Sequence, residues 1–547
     1  VNGQFTPKLV TAWREGMTAA RVRADLLAGL TVAIVALPLS MALGIASGAS
    51  PDKGLVTAIV AGFLISALGG SRVQVGGPTG AFVVVIAGVI AAHGFDGLVL
   101  ATLMAGVILI VAGYAGVGRL MRFVPSPVVT GFTAGIAVII ASGQVGDMLG
   151  LSVAHVPADV IGKWAAWIGA LATAQWASLA VGFGTLGLIL GLRRIDARLP
   201  GYLIAIVVAS AVVAFAQLPV ATVGERFPGM PTTLPAPRWP AFSLETARSV
   251  VPSSLTIAFL AGIEALLSAV VADGMTGFRH RSGQELVGQG VANLVSALFG
   301  GLPATGALAR TATNIRAGAQ TPLAGIAHAA FLLAILLVAG KWVAYVPMPA
   351  LAAILLIVAW GMSEAERFRH LPAMAPGDRV LLLLTFALTV LVDLTVAIGV
   401  GVTLASLLFM ARMSEATGVL GEDEGIEDPA QRAALPEGVE VFRIAGPMFF
   451  GAAGEMLEAL SRIGRRPRAV VLRLDRVPYI DSSGVDALAT FVARAGQWGT
   501  RVILCEMPRP VWEALARARP RFAGAGRTGT LAAALQRAGR WHAAGIA

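Results

Sequence analysis

Cysteine is all but missing. The 547 residues contain one, Cys505, which rules out a disulfide framework and a thiolate metal site and leaves nothing for thiol redox chemistry. Charge is scarce as well: Asp, Glu, Lys and Arg together make 13% of the chain, against roughly 25% in an ordinary soluble domain. Hydrophobic residues make 56%, and that balance belongs to a membrane protein. No metal-ligand cluster, nucleophile–histidine pairing or phosphate loop stands out, so an enzyme finds no support. The net charge of +10 raises the question of nucleic acid, but a basic stripe with interleaved aromatics is lacking.

What is present is a run of long uncharged stretches over 24–411, with normal charge density returning after Met413. About fourteen apolar segments begin near residues 26, 54, 79, 96, 125, 176, 199, 253, 285, 305, 321, 347, 378 and 395, each a candidate membrane segment. With a cytoplasmic N-terminus, the inside loops receive Arg72, Arg193, Arg194, Arg279, Arg281, Arg367 and Arg369, while the short outside loops hold little beyond Lys163 and Lys341, as the positive-inside rule requires. The first segment starts near Asp25 without a small-residue cleavage site and reads as a retained span, not a signal peptide.

An internal echo organises these segments. Leu64-Ile65-Ser66-Ala67-Leu68-Gly69-Gly70 is answered by Leu294-Val295-Ser296-Ala297-Leu298-Phe299-Gly300-Gly301, and Gly76-Gly77-Pro78-Thr79-Gly80-Ala81 by Gly300-Gly301-Leu302-Pro303-Ala304-Thr305-Gly306-Ala307, about 226 residues later. A repeat of seven segments is odd-numbered, so its two copies lie in the membrane with opposite orientation, as in secondary transporters. Segments 3 and 10 start at the echoes and are too short to cross ~30 Å of hydrocarbon. Two half-helix starts meeting near the midplane offer unpaired N–H groups and positive dipole ends, a place for an anion. The hydroxyls of Thr79 and Thr305 are candidate further donors. Close packing of small residues is the competing account of the glycines.

Ionisable residues inside apolar segments are costly and ask for a reason. Glu264 lies mid-segment in Ala261-Gly262-Ile263-Glu264-Ala265-Leu266-Leu267-Ser268. A carboxyl there that gains and loses a proton between two conformations couples transport to a proton gradient; one that stays ionised is able to hold Na⁺ together with Ser268. Arg310, just past the start of segment 10, supplies positive potential to an anion, with snorkelling to the interface as the alternative. Asp393 reads as a turn residue, and His328 as a packed, satisfied side chain.

After an acidic linker, Glu422-Asp423-Glu424, alternation near 439–444, 469–474 and 501–505 predicts strands, and helical patterns fall near 452–463, 484–497 and 509–518, a small α/β domain. In its turn Asp481-Ser482-Ser483-Gly484, helix capping by Asp481 or Ser482 is favoured over a phosphorylation or nucleotide site.

These residues together resemble the sulfate permease (SulP) anion transporters, relatives of the animal sulfate and chloride/bicarbonate exchangers. The resemblance runs over nearly the whole chain: Asp25-Leu26-Leu27-Ala28-Gly29-Leu30-Thr31-Val32 through Pro38 and Met41-Ala42, Gly77-Pro78-Thr79-Gly80, Ala309-Arg310-Thr311, and a C-terminal domain that looks like a STAS domain. It implies an all-α polytopic domain of about fourteen segments in a seven-plus-seven inverted repeat, segments 1 to 4 and 8 to 11 forming a substrate-carrying core that moves against a gate, with a small α/β STAS domain appended. It also implies a homodimer. Many members place Gln and an aromatic where this chain has Leu39 and Leu43, and Ser where it has Ala309. The surroundings of Pro38 and Thr79 are similar to the cyanobacterial bicarbonate branch, whose sodium site uses Asp and Thr where Glu264 and Ser268 stand and Thr where Leu308 stands. A Glu at that place resembles the proton-coupled bacterial members, so H⁺ is preferred over Na⁺, with no other cofactor.

The expectation is therefore an H⁺-coupled transporter of small oxyanions, sulfate or bicarbonate first and dicarboxylates next, in a bacterial inner membrane with both ends cytoplasmic. Substrate would meet Leu39, Leu43, Arg310 and the backbone of Thr79, Gly80, Ala81, Gly306, Ala307 and Leu308; Glu264 and Ser268 would handle the coupling ion, and Ser482 and Ser483 are candidate regulatory positions facing a possible cytoplasmic regulator. The domain plan is a tail over 1–24, a transport domain over 25–412 with repeats at about 25–217 and 251–412, a linker over 413–435 and the STAS domain over 436–547. A nucleobase symporter of the same architecture would lack the C-terminal domain, and a passive anion channel would conduct without a coupling ion.

Overall fold

In lipid an apolar run satisfies all of its backbone groups within itself by forming a helix, and the first part of the chain is built mainly of helices. The computed structural model describes residues 5–119, 125–153, 156–157, 159–196, 199–241, 243–415, 418–420, 435–449, 467–522 and 524–543. The acidic linker and the helical pattern near 452–463 lie outside the described residues. Two compact units are present, Val1–Val402 and Thr403–Ala547.

In the first unit a short α1 (Lys8–Arg14) precedes α2 (Ala19–Ala46), α3 (Pro51–Leu68), α4 (Val83–Tyr114), α5 (Ser126–Leu149), α6 (Val160–Gly169), α7 (Trp176–Ile195) and α8 (Gly201–Ala216). The connection that follows carries α9 (Val223–Arg226) and α10 (Leu244–Ser249). Then come α11 (Val251–Thr276), α12 (Ser282–Leu298), α13 (Leu308–Arg316), α14 (Leu323–Ala339), α15 (Met348–Met362), α16 (Ala365–Arg369), α17 (Pro376–Leu391) and α18 (Leu394–Glu415), the last running on into the second unit. Prolines stand in the first turns of α3, α5, α11, α15 and α17, where the missing N–H has no intrahelical partner to lose. Gly94, at φ 69°, breaks α4 into parts over 83–93 and 95–114. With that break, the fourteen expected segments find their counterparts in α2 to α5, α7, α8, α11 to α15, α17 and α18. Eight helices among the described residues are long and apolar enough to cross a membrane.

The packing carries the repeat. α2 lies on α14 as α11 lies on α4; α3 lies on α14 as α12 lies on α4; α5 lies on α17 as α15 lies on α7. Exchanging the halves of the unit maps each of these contacts onto its counterpart, and the pairs α3 with α12 and α5 with α15 map onto themselves. Helices α2 to α4 and α11 to α14 thus form one bundle, and α5, α7, α15 and α17 the heart of a second. Between the helices lie two two-residue strands, β1 (Gly76–Gly77) and β2 (Thr305–Gly306), which pair antiparallel, Gly76 opposite Gly306 and Gly77 opposite Thr305. An antiparallel meeting of equivalent segments is what oppositely oriented repeats produce.

The second unit holds a five-stranded sheet in the order β3 (Gly418–Leu420), β4 (Val439–Ala445), β5 (Ala469–Arg476), β6 (Arg501–Cys505), β7 (Gly526–Thr528); β4 to β7 run parallel and β3 is antiparallel at the edge. One face buries Leu472, Leu474 and Leu504 with Leu488 and Phe491 of α19 (Ser482–Gln497) and Leu515 of α20 (Arg509–Arg517). The other buries Val441, Val471 and Ile503 with Leu531 and Leu535 of α21 (Leu531–Ala543). The Asp481 carboxylate accepts from the Gly484 N–H at 2.8 Å and caps α19, so of the two capping candidates the aspartate acts. Ser482 is exposed and Ser483 half-buried beside it. Cys505 is fully buried, and burial pushes its thiol up to about 12. A thiol with so little thiolate is unreactive. In the folded full-length chain, a maleimide at pH 7.5 is expected to leave Cys505 unlabelled over an hour and to label it stoichiometrically in denaturant, as mass spectrometry of the two samples will report.

Candidate functional site

The paired strands bring the two half-helix starts together. A turn of 3₁₀ helix over Gly80–Phe82 leads from β1 into α4, and α13, nine residues long, starts two residues after β2. The first N–H groups of each have no partner within their own helix. Both ends open on a cavity of about 500 Å³ lined by Pro78, Thr79, Gly80, Gly306, Ala307 and Leu308, with Leu39, Leu43, Glu264, Ser268 and Arg310 around them. Every predicted substrate or coupling residue except Ala81, which is buried immediately behind Gly80, lines this one space. The cavity extends toward Arg193, Tyr202 and Glu364 at the ends of α7, α8 and α15. There Arg193 donates to the Tyr202 hydroxyl at 2.5 Å, and Arg367 pairs with Glu364 at 3.0 Å.

Arg310 does not snorkel. It is 2% exposed, one Nη donating to the Ser40 hydroxyl at 3.0 Å and the Pro78 carbonyl at 3.3 Å, the other reaching the Gly76 carbonyl at 3.5 Å. Its Nε–H is buried without a protein acceptor among the described residues. The guanidinium passes so close to β1 that a Cβ on Gly77 would lie 2.1 Å from Nη1, and Gly77 itself has φ 152°, so position 77 has to be glycine on both counts.

Other expectations change. The Thr79 hydroxyl donates to Glu264 Oε2 at 2.8 Å and the Thr305 hydroxyl to the Ala261 carbonyl at 2.7 Å; neither is turned toward a ligand, because each ties its half-helix to α11. Ser268 donates to the Thr311 hydroxyl at 3.2 Å and lines the same cavity as Glu264. The Ala307 N–H is engaged by the Val75 carbonyl at 2.9 Å, which leaves Gly80 and Ala81 on one side and Leu308, Ala309 and Arg310 on the other as the backbone donors. His328 is buried as expected but not satisfied, since neither ring nitrogen has a partner among the described residues. Asp393 does act as a turn residue, accepting from the Thr395 N–H at 2.6 Å.

The loops ahead of the half-helices are held by side chains that sequence reading passed over. Asn293 donates to the Ala304 carbonyl and accepts from its N–H, both at 2.8 Å, and the Thr57 hydroxyl accepts from the Leu302 N–H at 2.6 Å. Reciprocally, Asn314 donates to the Val73 carbonyl at 2.8 Å and Thr311 accepts from the Val75 N–H at 3.1 Å. The signal was available: each is a polar residue in an apolar segment. Asn293→Ala orphans two buried backbone groups and is expected to cost about 2–4 kcal/mol, measured as a lower melting temperature of the purified protein.

A model of the Sulfate permease family matches residues 22–385 and a model of the STAS domain matches 432–519. The chain belongs to the sulfate permease family. Its sequence is 38% identical over 482 residues to a putative sulfate transporter, YvdB, of Bacillus subtilis, covering 88% of this chain and 90% of the relative. It is 32% identical over 497 residues to the bicarbonate transporter BicA of Picosynechococcus, covering 87% of each. Among solved structures, the transmembrane domain of a cyanobacterial BicA superposes with TM-score 0.63 at 31% identity over 70% of this chain and 98% of that one. Murine Slc26a9, an anion transporter captured in its inward-facing state, superposes with TM-score 0.84 over 95% and 92% at 16% identity, a likeness of fold. This permease-family chain is thus a multi-span membrane protein with transporter relatives and a C-terminal STAS domain.

Proposed function

We propose that the chain is a secondary active transporter of small oxyanions, with sulfate and bicarbonate as the first candidates, and not an enzyme. The reading is carried by one arrangement: two half-helix starts, an arginine whose buried Nε–H has no partner among the described residues, and a glutamate in the middle of an apolar helix line a single cavity. An anion accepts from Gly80 and Ala81 on one side and from Leu308, Ala309 and Arg310 on the other. Glu264 takes up and releases the coupling proton, passing it between the two faces as the bundle of α2 to α4 and α11 to α14 moves against the other, an elevator movement. A single carboxyl in an apolar helix that can take up and release a proton is the basis for preferring H⁺, while Ser268, whose oxygen keeps its lone pairs, makes Na⁺ the alternative that the gradients decide. The protein works as a homodimer in a bacterial inner membrane with both termini cytoplasmic, and the STAS domain, with Ser482 and Ser483 at its helix start, receives regulation.

Uptake of labelled sulfate, bicarbonate and fumarate into proteoliposomes, with H⁺ and Na⁺ gradients imposed separately, tests the reading. Concentrative uptake of at least one anion under an inward H⁺ gradient is expected. Conductance without coupling would make the protein a channel, and uptake driven by Na⁺ alone would reassign Glu264.

A further inference from the structure

We propose that the anion best suited to this cavity is monovalent and carries an apolar body, a short-chain aliphatic monocarboxylate, in preference to the dianion sulfate. The inference rests on the anion-site reading above and narrows its substrate class.

Charge balance comes first. The inner part of the cavity has two ionisable side chains, Arg310 and Glu264; at its mouth Glu364 is paired with Arg367 and Arg193 is turned onto Tyr202. When Glu264 is protonated, one negative charge on the ligand neutralises Arg310, whereas sulfate leaves an excess charge of −1. When Glu264 is ionised, the monoanion leaves −1 and sulfate −2. In either state the monoanion leaves less uncompensated charge in a medium of low dielectric, where such charge is expensive.

The donors agree. With Thr79, Thr305, Ala307 and three of the five guanidinium N–H groups of Arg310 engaged within the protein, the N–H groups of the two helix starts, Arg310 Nε–H and one N–H of Nη1 remain. A carboxylate has two oxygens to satisfy, one for each helix start. Sulfate has four, two more than the helix starts serve, and the lining beyond them is mostly apolar side chains.

The walls agree as well. The lining also includes Val32, Leu39, Leu43, Phe132 and Ile357, and Leu308, at the start of α13 and on the same lining, is 50% exposed. A cavity of about 500 Å³ is far larger than a carboxylate head requires, and most of its lining short of the mouth at Arg193, Tyr202 and Glu364 is apolar. An alkyl chain placed there removes apolar surface from water on both sides. Leu39 and Leu43 on α2 and Leu308 on α13 are the residues that set this preference.

The test is thermal stabilisation of the purified full-length protein in detergent, at fixed pH and ionic strength, by the sodium salts of formate, acetate, propionate, butyrate, valerate and sulfate. Measuring in detergent avoids the free permeation of weak acids through lipid. Apparent affinity is expected to rise about two- to fourfold per added methylene, with sulfate weaker than butyrate by at least about tenfold. Leu39→Gln and, independently, Leu308→Gln should flatten the chain-length series while Arg310→Gln removes stabilisation by every anion. Sulfate binding as tightly as butyrate, or an affinity indifferent to chain length, overturns this inference and leaves the anion site standing. If no anion stabilises the protein and Arg310→Gln changes nothing, the anion site itself falls and this inference with it.

Discussion

Arg310→Gln is expected to abolish anion uptake and to weaken anion binding at least about 30-fold, the consequence of ~2–5 kcal/mol for truncating a buried, hydrogen-bonded charge. Among the described residues lining the inner cavity, Arg310 supplies the positive charge, and it also pins β1: its Nη groups reach Ser40, Pro78 and Gly76. The two roles separate by variant. Arg310→Lys retains the charge but, as a single ammonium, cannot span three acceptors in the geometry of a guanidinium, so it should retain part of the binding and lose thermal stability. Gly77→Ala leaves Arg310 in the sequence but sets a Cβ 2.1 Å from Nη1; it should reproduce the transport defect by displacing the guanidinium. The melting temperature without anion reports the pin, and the anion-induced shift reports the charge. Arg310→Gln with unaltered anion-induced stabilisation would show that the charge lies outside the site.

Much of this was legible because membranes constrain sequences harshly. Backbone in lipid has to be helical, so apolar run length alone placed the helices, and the glycine echo at 76–81 and 300–307 foretold a meeting of half-helices that β1 and β2 realise through Gly76 and Gly306. In the second unit β6 occupies the expected 501–505, and α19 and α20 begin within a few residues of the patterns near 484 and 509. The three-residue strands β3 and β7 went unread because so short a run carries no periodicity. Less legible was where each hydroxyl points. Thr79, Thr305 and Ser268 looked like ligand donors, yet their partners, Glu264, Ala261 and Thr311, sit on helices brought near only by the folded bundle. A backbone donor such as Ala307 N–H is hidden in the same way, since sequence does not say that Val75 of the opposite repeat will claim it.

Glu264→Gln is expected to uncouple the transporter without emptying the site. Glu264 faces the cavity from the middle of α11 and accepts from the Thr79 hydroxyl at 2.8 Å. Glutamine has the same length and its carbonyl oxygen accepts that same bond, so the link between α11 and the first half-helix survives; the melting temperature should hold, and anion affinity should stay within about threefold of the parent, a difference under ~1 kcal/mol. What glutamine lacks is a titratable proton. For one proton carried per anion, each pH unit across the membrane supplies ~1.4 kcal/mol, a tenfold accumulation; the parent protein should therefore concentrate substrate in proteoliposomes in proportion to the imposed gradient, and the variant should only equilibrate it. Because binding and coupling are read separately, a folding defect cannot imitate the result. Uptake by Glu264→Gln that still rises tenfold per unit of inward proton gradient would remove Glu264 from the coupling step. The proton would then have to be carried by another group or by the protonated substrate itself.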